Sequence, residues 1–288
     1  MIGFGIIGGD RRQLYLARSL AEDGHLVLVN GMERAQDTAG LKMAQLPDLA
    51  ERCEVILLPL PVTREGAALN APFAGQAIPL DRLETALAGH RVFGGMLGAL
   101  GEGSPFWQSC RDYYAQEELL TGNAWLTAEG AVALAVTQYP GTLGGASCLV
   151  AGYGRIGKAL CPMLRGMGAQ VFCAARRPEA LAAVRALGCV PLGYDQLQRP
   201  FDLIFNTVPV PVLGSAVLVR QKQDTLLMEL ASAPGGFDRA AAERLGLSIL
   251  DAPSLPGRTS PKAAGELIKT TIYHMLEADQ AGKPLNRP

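Results

Sequence analysis

The segment Cys148-Leu149-Val150-Ala151-Gly152-Tyr153-Gly154-Arg155-Ile156-Gly157 leaves this chain few folds to choose from. Four apolar residues of strand type run into a GxGxxG string. Ala159, Leu160, Met163 and Leu164 then recur at helical spacing. Strand, glycine turn and helix in that order open a βαβ unit built for a dinucleotide. The first glycine makes the tight turn, the second lets a pyrophosphate approach the backbone, and the third lets helix and strand pack closely. The phosphates rest on the free N–H groups and positive dipole end of the helix. Gly152, Tyr153, Gly154, Arg155, Ile156 and Gly157 are therefore the expected cofactor-binding turn. Gly3, Gly5 and Gly8 spell the same string but lie within the first apolar strand. They leave no room for a strand ahead of them, and a phosphate role is not expected there.

The end of the next strand chooses the cofactor. An NAD enzyme places a carboxylate there, about 20 residues on, for the ribose 2′-hydroxyl. Here Val171 to Ala174 runs into Ala175-Arg176-Arg177-Pro178. Paired guanidiniums suit a 2′-phosphate, so NADP is expected; a solvated basic turn is the plainer alternative. Thr207, Val208 and Pro209 follow one later strand and Ala231 and Ser232 another. Both stand at carboxyl strand ends, the edge where open α/β sheets bind ligands.

From residue 1 the pattern alternates strand and helix, which predicts parallel sheets with helices on their faces. Strands are expected near 4–7, 26–29, 55–58, 91–93, 148–151, 171–174, 203–205, 226–229 and 248–250. Residues 99–125 read as a helical, aromatic-rich connection, and Thr127 as the N-cap of the helix after it. Ser260 and Pro261 open a last helix, and the tail from 281 to 288 is expected to fray. At 288 residues two domains are the default. A net charge of −1 offers no field for nucleic acid or an anionic membrane. Uninterrupted apolar runs are too short to span a bilayer, and Met1 to Phe4 lacks a basic leader, so a soluble cytoplasmic protein is expected. The six cysteines form no CxxC pair. They read as reduced, buried thiols rather than as a metal site.

Further residues carry a resemblance along the whole chain. They are Gly8-Gly9-Asp10-Arg11, Thr127-Ala128-Glu129-Gly130, Gly152 to Gly157, Ala231-Ser232-Ala233-Pro234-Gly235-Gly236, and Leu255-Pro256-Gly257 with Pro261-Lys262. Together they resemble the dipicolinate synthase A-subunit family of spore-forming bacteria. The resemblance implies an α/β fold of two Rossmann-like domains with parallel sheets and a cleft between them. One is an N-terminal substrate or partner domain (1–125), with a C-terminal helix (260–280) packing back on it. The other is an NADP-binding domain (126–259). It further implies oxidation of a dihydrodipicolinate-type precursor to pyridine-2,6-dicarboxylate during sporulation. The partner it implies is the flavoprotein-like B-subunit of the synthase. Self-association is expected as well. More distantly the layout is similar to 2-hydroxyacid and alanine dehydrogenases.

A dicarboxylate asks for cationic and hydroxyl contacts. Arg11, Lys262 and Ser232 are the catalytic candidates; Asp10, Arg11, Thr127, Glu129, Ser232 and Lys262 are the substrate-binding ones, with Arg258 a weaker choice. The competing reading of each charged side chain is a solvated surface group. His25, His90 and His274 all read as structural, which counts against a simple hydroxyacid oxidation with a histidine base. No metal cluster is visible. Two alternatives stay open: an NADP-dependent 2-ketoacid reductase, and a protein that binds NADP without turnover.

Overall fold

A computed structural model describes residues 1–64 and 66–281. The chain divides into two compact units, Met1–Asn123 with Ser260–Pro288, and Ala124–Thr259.

The first unit is built on β1 (Gly3–Ile7), β2 (Leu26–Asn30), β3 (Lys42–Met43), β4 (Val55–Leu57), β5 (Arg91–Gly94) and β6 (Arg111–Asp112). All pair in parallel, in the order β3-β2-β1-β4-β5-β6. β1 is buried along its length, as an apolar run in a parallel sheet with both faces covered must be. Its glycines serve packing. A β-carbon on Gly3 would stand 2.5 Å from the Arg52 carbonyl, and one on Gly5 2.7 Å from Ile56 Cδ1. The helices are α1 (Arg11–Glu22), α2 (Leu46–Arg52), α3 (Leu80–Ala86) and α4 (Pro105–Ser109). α1 covers one face of the sheet; α2 and α3 cover the other.

The helix α5 (Glu117–Gln138) begins in the first unit and ends in the second. The second unit carries β7 (Ser147–Ala151), β8 (Gln170–Ala174), β9 (Val190–Leu192), β10 (Leu203–Asn206), β11 (Leu226–Glu229) and β12 (Ile249–Asp251). These are again parallel, in the order β12-β11-β10-β7-β8-β9. Its helices are α6 (Arg155–Gly166), α7 (Pro178–Ala186), α8 (Ser215–Leu218), α9 (Arg239–Arg244) and α10 (Leu255–Thr259). Read from its edge at β9, this sheet repeats the order of the first. The doubly wound α/β class expected from the alternating pattern is therefore present twice. In each copy the winding reverses between the first strand and the fourth, β1/β4 and β7/β10, where such sheets open a crevice.

The closing helix α11 (Pro261–Gln280) returns to the first unit and lies along α1. Gly265 makes this possible, since its Cα faces the α1 backbone: a β-carbon there would stand 2.7 Å from the Arg12 carbonyl. Further on, Lys269 Nζ pairs with Asp23 at 3.0 Å and the Tyr273 hydroxyl donates to the same carboxylate at 2.7 Å. These contacts run in step, so α1 and α11 are parallel and begin at the same end.

Two expectations need correction. Thr127 is not an N-cap but a buried residue ten positions inside α5, because the helix already starts at Glu117 and runs on through Gly122, which packs against Leu267. Residues 99–125 are not helical throughout, since Arg111–Asp112 adds the edge strand β6. The helix α5, at 22 residues, is by length and composition long and apolar enough to cross a membrane. It sends Leu119 into one core and Ala128, Ala131 and Ala135 into the other. The expected fraying of the tail concerns residues 282–288, outside those described. All six cysteines are free thiols, five of them buried.

Candidate functional site

β7 ends at Ala151, and the chain turns at Gly152 with φ +103°, a left-handed conformation that glycine adopts without strain. Its β-carbon position lies 2.5 Å from Thr207 Oγ1, so the turn is closed from below by β10. Gly157 packs against the Gly152 carbonyl so tightly that any side chain would clash. A β-carbon on Gly154 would meet nothing within 4 Å. The three glycines thus divide the work as their spacing suggests: turn, open approach, close packing. Gly154 is also the N-cap of α6 and brings no side-chain acceptor to its helix N–H groups. A phosphate group fits that bare, open helix start.

Above the turn lies a cavity of about 510 Å³ lined by Gly152, Tyr153, Gly154, Ala175, Arg176, Arg177, Ala180, Tyr194 and Thr207 to Pro209. Arg176 and Arg177 are exposed at the end of β8. Burial pushes the Tyr194 phenol above its ordinary pKa, against the pull of the nearby Arg176. Tyr194 and Ala180 were not anticipated from the sequence. Arg155 and Ile156 do not line this cavity; Ile156 packs on the core instead.

Ala231 and Ser232 line a separate cavity of about 300 Å³ with Glu229, Ala233 to Gly235, Arg239 and Asp251 to Pro253. It opens beyond β11 and β12. Glu229 is buried and organises the loop. Its Oε1 accepts from Asn206 Nδ2 at 2.6 Å and from the Ala231 N–H at 3.0 Å, and its Oε2 accepts from the Gly236 N–H at 2.9 Å. Asn206 also holds Val208, donating from Nδ2 to its carbonyl at 2.9 Å and accepting its N–H at 3.2 Å. One buried amide and one buried carboxylate therefore tie the Thr207–Pro209 turn to the Ser232 loop.

In the first unit, Gly8 and Gly9 take φ +66° and +93°, and Asp10 caps α1. The Asp10 carboxylate is committed inward: it accepts from the Arg12 N–H at 3.0 Å and pairs with the Arg12 guanidinium at 2.8 Å. Arg12, buried, also donates to the Leu60 carbonyl. Arg11 is exposed on the first turn of α1, and Lys262 is exposed on the first turn of α11 at the same end. Thr127 and Glu129 belong to α5, the one buried and the other exposed. Arg258 is exposed on α10.

The histidines are accounted for structurally. His25 accepts the Ile2 N–H and sits between Phe4 and Tyr273. His90 donates to the Ala50 carbonyl at 2.7 Å, and His274 contacts Glu118 at 2.8 Å. None lines either cavity.

Comparison with known proteins bears out the resemblance. Residues 3–99 match the N-terminal domain of the dipicolinate synthase A-subunit. The chain is 29% identical over 285 residues to the dipicolinate synthase A-subunit of Bacillus subtilis, covering 96% of each. The crystal structure of that A-subunit from B. subtilis superimposes with a TM-score of 0.84 at 28% identity, covering 98% of both chains. The A-subunit from Bacillus halodurans also gives 0.84 at 28% identity, over 96% of this chain and 97% of the other.

Proposed function

From this full-length likeness to the dipicolinate synthase A-subunit, we propose that the chain is a cytoplasmic NADP-dependent oxidoreductase component of that synthase. It oxidises a dihydrodipicolinate-type precursor to pyridine-2,6-dicarboxylate and works with the flavoprotein-like B-subunit. The observation that carries the reading is the shared cavity: the bare start of α6 and the Arg176-Arg177 pair line one space of about 510 Å³. A pyrophosphate on the α6 N–H groups and a 2′-phosphate on the guanidiniums account for both features. Tyr194 offers a flat apolar face for the adenine end.

When bound, the nicotinamide supplies the hydride acceptor. The protein binds and orients. Thr207 and Val208 fix the turn beside the cofactor, and Arg11 and Lys262 supply the cations for two carboxylates. Ser232, in the cofactor-binding unit, offers a hydroxyl. A ring that becomes aromatic on losing hydride and proton has a strong drive of its own, and no histidine base is required. The absence of histidine from both cavity linings favours one second reading, in which this chain holds NADP while the B-subunit completes the reaction.

The deciding experiment incubates the purified chain, alone and with the B-subunit, with NADP+ and enzymatically generated precursor. Absorbance reports NADPH and the aromatic product. Turnover by the chain alone establishes the first reading, turnover only with the B-subunit the second, and no cofactor dependence refutes both.

A further inference from the structure

We infer that Glu229 makes this site prefer oxidised over reduced cofactor, an inference that rests on the dinucleotide reading above. The strand order sets the geometry. The pyrophosphate lies at the start of α6, beside the β7/β10 switch point. Arg176 and Arg177 draw the adenosine half toward the end of β8. The nicotinamide half must then run the other way, over the ends of β10, β11 and β12. The cavity of about 300 Å³ lies there, and Glu229 lines it.

Glu229 is 4% exposed, and its three close contacts are all N–H donors, so its oxygens act only as acceptors. None of those donors is a cation. The other charged residues of the lining, Arg239 and Asp251, pair with each other. Arg239 also lies within electrostatic reach of Glu229, and two carboxylates against one guanidinium leave the lining a net charge of about −1. An oxidised nicotinamide ring carries one positive charge and a reduced ring none. A poorly solvated carboxylate attracts only the first, and more strongly than it would in water. With the reduced form bound, Glu229 would face an uncharged ring and contribute no such attraction.

Calorimetric titration of the full chain with NADP+ and with NADPH tests the inference through the ratio of the two dissociation constants. The unaltered protein should bind NADP+ about tenfold more tightly, a modest value for one charge in a half-screened cavity. Glu229→Gln should bring the ratio to about one. Disturbing the loop weakens both forms together and leaves the ratio alone, so the ratio separates charge from architecture. Glu229→Asp, which keeps the charge, should keep the preference even where both affinities fall. Asp251→Asn, an exposed change that spares the fold, should move the ratio the same way as Glu229→Gln but by less. A ratio near one in the unaltered chain, or one untouched by Glu229→Gln, overturns the role of Glu229 while leaving the cofactor assignment standing. Binding of neither form overturns both.

Discussion

Thr207 stands directly beneath Gly152. Its hydroxyl donates to the Ala151 carbonyl at 2.8 Å, and its Oγ1 lies 2.5 Å from where a Gly152 β-carbon would be. The switch point of the second unit is closed by this contact, and that makes two glycines of one motif separable by experiment. Gly152→Ala meets both the hydroxyl and a left-handed φ, so it should cost about 1–3 kcal/mol of stability and abolish cofactor binding. Gly154→Val projects into open space and should abolish binding with little loss of stability. Gly5→Val should leave cofactor affinity unchanged while destabilising the first unit. Urea unfolding beside cofactor titration distinguishes the three; a Gly154→Val protein that still binds would relocate the phosphate site.

The proposed preference for NADP rests on Arg176 and Arg177. Losing a charge-assisted phosphate contact costs roughly 1.5–3 kcal/mol. Arg176→Ala should therefore weaken NADP(H) about tenfold or more and spare NAD(H). Equal affinities for the two cofactors in the unaltered protein would remove the assignment.

Arg11 and Arg12 are neighbours with opposite circumstances. Arg12 is 4% exposed and locked to Asp10 and Leu60; Arg11 is solvated. Arg12→Ala leaves the Asp10 carboxylate half-buried without its partner and should cost about 2–4 kcal/mol in denaturant unfolding. Arg11→Ala should stay within about 0.5 kcal/mol of the unaltered chain. If Arg11 and Lys262 hold a dicarboxylate, either alanine variant should abolish binding of pyridine-2,6-dicarboxylate to the cofactor-loaded protein. Undiminished binding in both would place the clamp elsewhere.

Acid should reach the second unit through Asp202. Hydrogen bonds from the Ser147 backbone N–H and hydroxyl, with Lys222 nearby, hold its carboxyl below the ordinary value, outweighing partial burial. A lowered folded-state pKa means that the ionised form stabilises the fold. That contribution is complete above the unfolded value near 4 and is lost as pH falls through the folded one. Asp202→Asn should lower stability at pH 7 by about 1 kcal/mol and flatten the loss of stability below pH 4. An unchanged acid slope in thermal unfolding would discharge Asp202 from this role.

The strand, glycine turn and helix at 148–164 were legible because three separate requirements coincide in one short stretch. A fully buried strand, a glycine at each tight approach and an amphipathic helix leave little else for residues 148–164 to be. The same test set aside Gly3 and Gly5, whose β-carbon positions face Arg52 and Ile56. The edge strands β3, β6 and β9 escaped notice, being two or three residues long with no period to detect. Tyr194 reaches its cavity from a short turn after β9, and only the tertiary fold carries that neighbourhood. Thr127 misled because a helix-capping residue type tells nothing once a helix has already begun at Glu117. In Gly8-Gly9-Asp10-Arg11-Arg12, composition alone could not say which arginine turns inward.

The two sheets share one strand order, yet their first helices begin differently: α6 on Gly154, α1 on Asp10. At the start of α1 the Asp10 carboxylate caps the helix, whereas Gly154 brings no side-chain cap to α6. On the proposed reading, two sheets of one strand order provide a single nucleotide cradle, because only one first helix starts on a residue that brings no carboxylate of its own. Calorimetry should return a stoichiometry of one dinucleotide per chain, and Asp10→Gly is the substitution that would ask whether the second cradle was ever more than shape.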